Sequence, residues 1–376
     1  MPYKIALLSK YPPLEGGIAA RTYWLACGLA ARGHEIHVIT NGISAGGEYH
    51  IKAADSGLTD IKNLFVHRIT DDIPWHLPED HEYGLTLLNL TLNVIREHSI
   101  QILDTGYLVP YGIVGHIAKR FTGIPHVIRH GGSDIEKFLK AHILEIVLRE
   151  SIADADRVVT TMYYKDLFES ITPRTIPQPA YVPDESIFVH NNVTHPQFRL
   201  AYIGKINHYW QQKNLRLVVS IMHQLSGQFD CSIVGQGKGL DNFQRELGPD
   251  IASGIKWQPF VAPWEMPRLL GQLDAIFILE SSLPHPVISN LVIEAVSCGV
   301  GIITDRADFA ETYRGIFNLD NNQVLVITSP VASTAAECVS QWIKNRNYNI
   351  QSSNPLISYS EYITANEGMY SDILGN

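Results

Sequence analysis

The feature that most constrains this chain is an alternation, met twice, of short apolar runs with segments of helical spacing. KIALLS is a run of one buried strand's length, YPPLEGG is a turn-rich loop, IAARTYWLACGLAARG carries helix-spaced apolar residues ending at Gly33, and HEIHVIT is a second run. Strand, helix, strand in that order is a βαβ unit, whose strands lie parallel. The series continues through helical LTLLNLTLNVIREH, strand IQILDTG, helical YGIVGHIAKRFTG and strands IPHVIRH and DRVVTT. DIEKFLKAHILEIVL reads as a further helix. Strands that are apolar throughout, rather than at every second residue, need helices over both faces of the sheet.

Between residues 174 and 198 the period is lost in RTIPQPAYVPDESIFVHNNVTHPQF. A second series then begins: strand FRLAYIGK, helical NLRLVVSIMHQL, strand DCSIVGQG, helical GLDNFQREL, IKWQPFV, helical WEMPRLLGQL, strand AIFILE, a helix, and strand VGIITD. The pattern predicts an α/β chain of two Rossmann-like doubly wound domains facing across a cleft, over residues 1–185 and 186–355, with a terminal helix at 356–376. A length of 376 residues with 45% apolar content suits two cores of ordinary size. Ligands of such sheets gather beyond the carboxyl ends of the strands, so the loops there carry the functional reading.

Bulk composition excludes several functions. With 29 basic against 38 acidic residues and a net charge of -9, no nucleic-acid footprint is present. Cys27, Cys231, Cys298 and Cys338 are singly spaced, which suggests neither a disulfide framework nor a zinc motif and fits a reducing compartment. No secretory leader is recognisable, and no apolar run approaches the roughly 18 residues of a spanning helix. The chain is expected to be cytoplasmic; no feature argues for peripheral membrane contact, although such contact needs no long apolar run.

One acid is out of place. In SSLPHPVISNLVIEAVSCGVGIITD, Ser289 or Asn290 can cap a helix that Gly299 stops, and Glu294 puts a carboxylate one turn inside it. Backbone N–H groups at such a helix mouth favour a phosphate, and a carboxylate one turn on can accept hydrogen bonds from the two vicinal hydroxyls of a ribose. Equally, Glu294 can be a good helix former near the positive end of a dipole. In AYIGKINHYWQQKN, Gly204 is followed by Lys205 and Lys213, which are either solvated loop cations or a pair that neutralises a departing diphosphate without a metal. Gly16 and Gly17 in LEGGIAAR let a backbone approach a ligand, but lack the GxGxxG spacing of a nicotinamide fingerprint. In IPHVIRHGGSD, His130 ends a strand beside Gly131 and Gly132, and Asp134 is either a ligand-facing acid or the cap of the next helix. HExxH and P-loop motifs are absent, the acidic pair at 154–156 has a surface setting, and no metal or other cofactor is expected.

Taken in order, the glycine loop (Gly16, Gly17), His130 in RHGGSD, the basic pair Lys205 and Lys213, and SNLVIEAVSCG with Glu294 resemble the landmarks of the GT-B glycosyltransferases, specifically the retaining family 4 group. The resemblance implies the GT-B fold and metal-independent transfer of a sugar from a nucleotide-diphosphate sugar, UDP- or GDP-linked, to an acceptor. It further implies that the glycine loop and both lysines hold the donor diphosphate, that His130 faces the donor sugar, that Asn290 and Leu291 meet phosphate, and that Glu294 holds the ribose. Lysine stands at 205 where the family commonly has arginine. Pro286 stands where the first of the family's two motif glutamates is expected, with His285 or Ser289 as neighbouring substitutes. That departure keeps two alternatives open: a non-catalytic GT-B scaffold that binds a nucleotide or partner, and a nucleotide-sugar epimerase. SYSEYITANEGMYSDIL resembles the family's last helix, which crosses back to the N-domain.

Overall fold

A computed structural model describes residues 2–43, 47, 50–51, 61–70, 81–189, 196–207, 210–248, 251, 254–279, 288–345 and 357–375. The chain divides into two compact units, Met1–Val182 with Ser360–Asn376, and Pro183–Tyr359.

The first unit holds a parallel sheet of β1 (Lys4–Leu8), β2 (Glu35–Thr40), β3 (Leu64–Arg68), β4 (Ile102–Thr105), β5 (His126–Arg129), β6 (Arg157–Thr160) and β7 (Thr175–Pro177), in the order β3-β2-β1-β4-β5-β6-β7. The order reverses between β1 and β4, which pair from Ile5 opposite Ile102 to Leu8 opposite Thr105. Apolar side chains cover both faces of the central strands: Ile5, Ile36, Ile102 and Val127 have no exposed surface.

In the second unit, β8 (Arg199–Ile203), β9 (Asp230–Val234), β10 (Lys256–Gln258), β11 (Ala275–Phe277), β12 (Gly301–Thr304) and β13 (Val324–Val326) form a parallel sheet in the order β10-β9-β8-β11-β12-β13. Here the reversal falls between β8 and β11, paired from Leu200 opposite Ala275 to Tyr202 opposite Phe277. At each reversal the connections diverge to opposite sides, which leaves a crevice at the carboxyl ends of the two central strands.

Two segments differ from the sequence reading. The single helix expected over DIEKFLKAHILEIVL is broken into a short wide turn, Ile135–Leu139, and a helix, Glu145–Asp154, with His142 at a left-handed φ of 61° between them. The stretch 174–198, without period, nevertheless supplies β7, three residues at the sheet edge, where Pro177 costs no ladder bond. The edge strands β3 and β13 and the helices Ala307–Phe317 and Ala332–Asn345 also go beyond the sequence assignment.

The terminal helix Tyr359–Leu374 packs on the first unit through a polar core. Asp104 and Arg129, both buried, form a bidentate pair, Nε to Oδ1 at 2.9 Å and Nη2 to Oδ2 at 2.8 Å. From the helix, the Tyr370 hydroxyl donates to Asp104 Oδ2 at 2.7 Å, and Asn366 Oδ1 accepts from Arg129 Nη2 at 2.6 Å. Residues more than 230 positions apart in sequence are thereby locked together. Removing one partner of such a pair strands a buried charge, a loss of about 3–5 kcal/mol. Asp104→Asn is therefore expected to lower the stability of the first unit by about that much, and Tyr370→Phe by about 1–2 kcal/mol. Hydrogen exchange of β4 and β5 amides checks this; unchanged protection in Asp104→Asn contradicts it.

Candidate functional site

At the crevice of the first unit, Gly16 takes φ 124° and ψ 163°, a conformation open in practice only to glycine, and begins the helix Gly17–Ala31. Gly106, just past β4, lies so close to β1 that a Cβ there would stand 2.2 Å from Ser9 Oγ. The ends of the two central strands meet at this point. Arg21 is the only charged residue of the helix and is buried. Its Nη1 donates to the His130 carbonyl at 2.9 Å and its Nη2 to the Gly106 carbonyl. One guanidinium thus ties the helix behind the glycine turn to the ends of β4 and β5. Burial pulls its pKa below the ordinary value, yet an arginine starts so high that it keeps its charge at neutral pH.

His130 is held on every side. Its Nδ1 accepts the Gly132 N–H at 3.2 Å, so Nε2 carries the proton and donates to Thr160 Oγ1 at 2.8 Å. The ring stacks on Phe168 (5.1 Å, 14°) and meets Tyr164 edge-on (5.3 Å, 85°). Burial, with the Arg21 charge acting in the same direction, brings its pKa down to about 3, so the imidazole is neutral throughout the physiological range. Arg21, Arg129, His130, Thr160, Thr161 and Gln178 line a small pocket, and Gln178 Nε2 is buried without a partner among the described residues.

Asp134, fully buried, accepts from the backbone N–H of Leu108 (2.8 Å), Gly131 (3.0 Å) and Ile135 (3.1 Å). It caps the short turn after it and also fixes the loop after β4 against the loop after β5. Burial raises its pKa, and backbone donors, Leu108 and Gly131 foremost, oppose that rise.

In the second unit the loops after β8, β9 and β12 converge. A Cβ on Gly204 would stand 2.8 Å from the Tyr202 hydroxyl, and one on Gly235 would stand 2.6 Å from the Gly204 carbonyl. Lys205 follows directly and is half-buried. Lys213, also half-buried, ends the turn Trp210–Lys213, which is anchored by Trp210 against Phe243 at 4.6 Å. Next in the chain, Asn214 takes a left-handed φ of 46° and donates from Nδ2 to Asp305 Oδ2 at 2.8 Å, just past β12.

The helix Asn290–Ser297 connects the parallel strands β11 and β12, so it runs against them and opens at their carboxyl edge. Ser289 is extended (φ −76°, ψ 154°) and its Oγ accepts the Val292 N–H at 3.3 Å, so the cap is formed by this serine. Asn290 and Leu291 are half-buried at the mouth, and Glu294 is 4% exposed on the fifth residue. Burial, reinforced by the Glu294 carboxylate, pushes the Cys298 thiol up to about 12, which removes it as a nucleophile at neutral pH.

Gly16, Gly17 and His130 therefore share the first unit's carboxyl edge, and Gly204, Lys205, Lys213, Ser289, Asn290, Leu291 and Glu294 share the second's. His285, Pro286 and residues 71–80 of the acidic and aromatic segment lie outside the described residues. Arg21 escapes a reading by motif, although it carries the same signal as Glu294, a lone charge in an apolar helix.

Residues 16–162 match the model of the glycosyl transferase 4-like domain. N-acetyl-alpha-D-glucosaminyl L-malate synthase of Bacillus anthracis is 24% identical over 319 residues, 79% of this chain and 77% of the relative. Among solved structures, sucrose-phosphate synthase from Thermosynechococcus elongatus aligns with a TM-score of 0.68 at 14% identity, over 99% of this chain and 97% of that one. Anabaena HepE in complex with UDP and glucose gives 0.65 at 15% identity, over 98% and 95%.

The fold is that of the GT-B glycosyltransferases, and residues 16–162 are similar to the glycosyl transferase 4-like domain.

The first unit carries a built-in acid sensitivity. His126, wholly buried with Nε2 on Thr105 Oγ1 at 3.0 Å, is also brought down to about 3, chiefly by burial. In an unfolded chain a histidine titrates near 6.5, so below that pH the unfolded state binds protons that the folded state refuses. Stability is full above about pH 6.5 and is lost as pH falls towards 3, by up to about 1.4 kcal/mol per pH unit for each of His126 and His130. Urea midpoints at pH 7 and 4.5 measure this: the wild type should lose more between them than His126→Gln does, and equal losses would contradict the assignment.

Proposed function

We propose that this protein moves a sugar from a nucleotide-diphosphate sugar to an acceptor hydroxyl, with retention of anomeric configuration and without a metal ion. The observation that carries the reading is the buried Glu294 one turn inside a serine-capped helix at the second unit's strand-order reversal. N–H groups at Asn290 and Leu291 suit a phosphate, and the carboxylate suits the two ribose hydroxyls beyond it. Solved structures of the same fold hold UDP, and one holds UDP-glucose, which favours a UDP-sugar as the first donor to try.

In this reading Lys205 and Lys213 match the charge that grows on the departing diphosphate, the task a metal performs elsewhere. The bond from the anomeric carbon to the diphosphate oxygen breaks, the acceptor oxygen bonds to that carbon on the same face, and the acceptor proton goes to the diphosphate. No side-chain nucleophile is required. The first unit handles the acceptor and the sugar: the glycine turn at Gly16 and Gly17 offers backbone N–H groups, and neutral His130 acts as a fixed dipole and wall rather than as a proton carrier. The relative's name specifies an alpha-glucosaminyl product, the configuration that retention from an α-linked donor gives.

Glu294→Ala is expected to weaken UDP binding at least about 100-fold by calorimetry, and Lys205→Ala and Lys213→Ala to lower kcat by about 10²–10³ while leaving the fold intact. Transfer should persist in EDTA, and proton NMR should show the donor's anomeric configuration in the product. Full UDP affinity in Glu294→Ala, or an inverted product, overturns the reading. Conversion of donor sugar with no acceptor present would instead identify an epimerase.

A further inference from the structure

Three histidines meet on one face of the first sheet, away from the crevice. His37 lies in β2, His67 in the edge strand β3, and His98 is the last residue of the helix His81–His98. In the parallel register His37 faces Phe65 and Ile39 faces His67, so the two strand histidines are offset by two residues and point to the same side. One ring nitrogen of each of the three histidines lies within 4.8 Å of those of the other two.

The orientation of the rings is specific. His37 Nε2 bonds Glu35 Oε1 at 3.0 Å, and Glu35 is itself held by Lys4 at 3.0 Å. That carboxylate fixes the His37 proton on Nε2 and leaves a lone pair on Nδ1, which lies 2.9 Å from His67 Nε2 in a nearly coplanar ring (10°). The ring of His98 is centred 4.4 Å from that of His37 and 5.1 Å from that of His67. Carboxylate on one nitrogen and metal on the other is how ligating imidazoles are oriented.

We propose that His37, His67 and His98 bind a divalent transition-metal ion, with Zn²⁺ the best match, and that the ion fastens the edge strand and the end of the helix to β2. A tetrahedral zinc with nitrogens at about 2.0–2.1 Å needs them about 3.3 Å apart. The pair at 2.9 Å opens slightly as the His67 proton shifts through solvent from Nε2 to Nδ1 and the cation takes its place between the two neutral rings. His67 and His98 are half-buried, so solvent reaches the cluster and supplies the fourth ligand. Three imidazoles select zinc-like ions over magnesium or calcium, which take oxygen donors. The helix terminus adds favourable carbonyl dipoles beside His98. β2 is separated from the reversal by β1, so the ion stabilises the sheet and takes no part in the sugar transfer, which stays metal-independent. This assignment does not depend on the donor site.

The test is calorimetric titration of chelator-treated full-length protein, free of any histidine tag, with ZnCl₂. The wild type should bind one equivalent at micromolar affinity or tighter, and gain several degrees in Tm. His67→Gln and His98→Gln should each weaken binding at least 100-fold, with melting in EDTA close to wild type. Co²⁺ added to the wild type should give the visible absorption of a four-coordinate nitrogen site. If His67→Gln fails to fold, His98→Gln at the helix end decides. No stoichiometric zinc in the wild type, or wild-type affinity retained in His98→Gln, overturns the proposal.

Discussion

Burying charge is the constraint around which both units are organised. A charged group withdrawn from water is tolerated only where fixed dipoles or an opposite charge replace its hydration. Each unit meets that requirement beside its strand-order reversal. Asp104 and Arg129 pair within the first sheet, Arg21 spends its donors on two carbonyls, and Asp134 collects three backbone N–H groups. In the second unit Glu294 sits near the mouth of an apolar helix, where the backbone dipoles favour a negative group.

These groups also explain why the loops are placed as they are. A loop after a parallel strand has few obligatory partners, and its conformation is usually its own. Here Asp134 ties the loop after β4 to the loop after β5, and Arg21 ties both to the helix behind the glycine turn. Asn214 does the same for the loops after β8 and β12. Preorganised loops of this kind suit a reaction whose demands on the protein are orientation and matching of charge.

Much of the fold was legible because βαβ units announce themselves by apolar runs of one strand's length between helical periods. The edge strands were not: β7 has three residues, too few to show a period, and β3 is half-exposed along its length. The break at residues 140–144 was hidden because DIEKFLKAHILEIVL has helical composition, and the left-handed φ at His142 departs from that local preference. In the site, Glu294 was legible as a charge among apolar neighbours, and Ser289 as one of two candidate caps. Arg21 had the same signature, yet its partners are carbonyls 85 and 109 residues away, which no local pattern records. The engagement of both His130 nitrogens belongs to the same class of long-range fact.

The central claim is that the Glu294 carboxylate recognises ribose hydroxyls. A cycle that crosses the protein change Glu294→Ala with the ligand change UDP to 2′-deoxy-UDP, each affinity measured by calorimetry, isolates that contact. The account predicts that loss of the hydroxyl weakens binding to the wild type by 10-fold or more and has almost no effect in the alanine variant. An equal penalty in both proteins would contradict it.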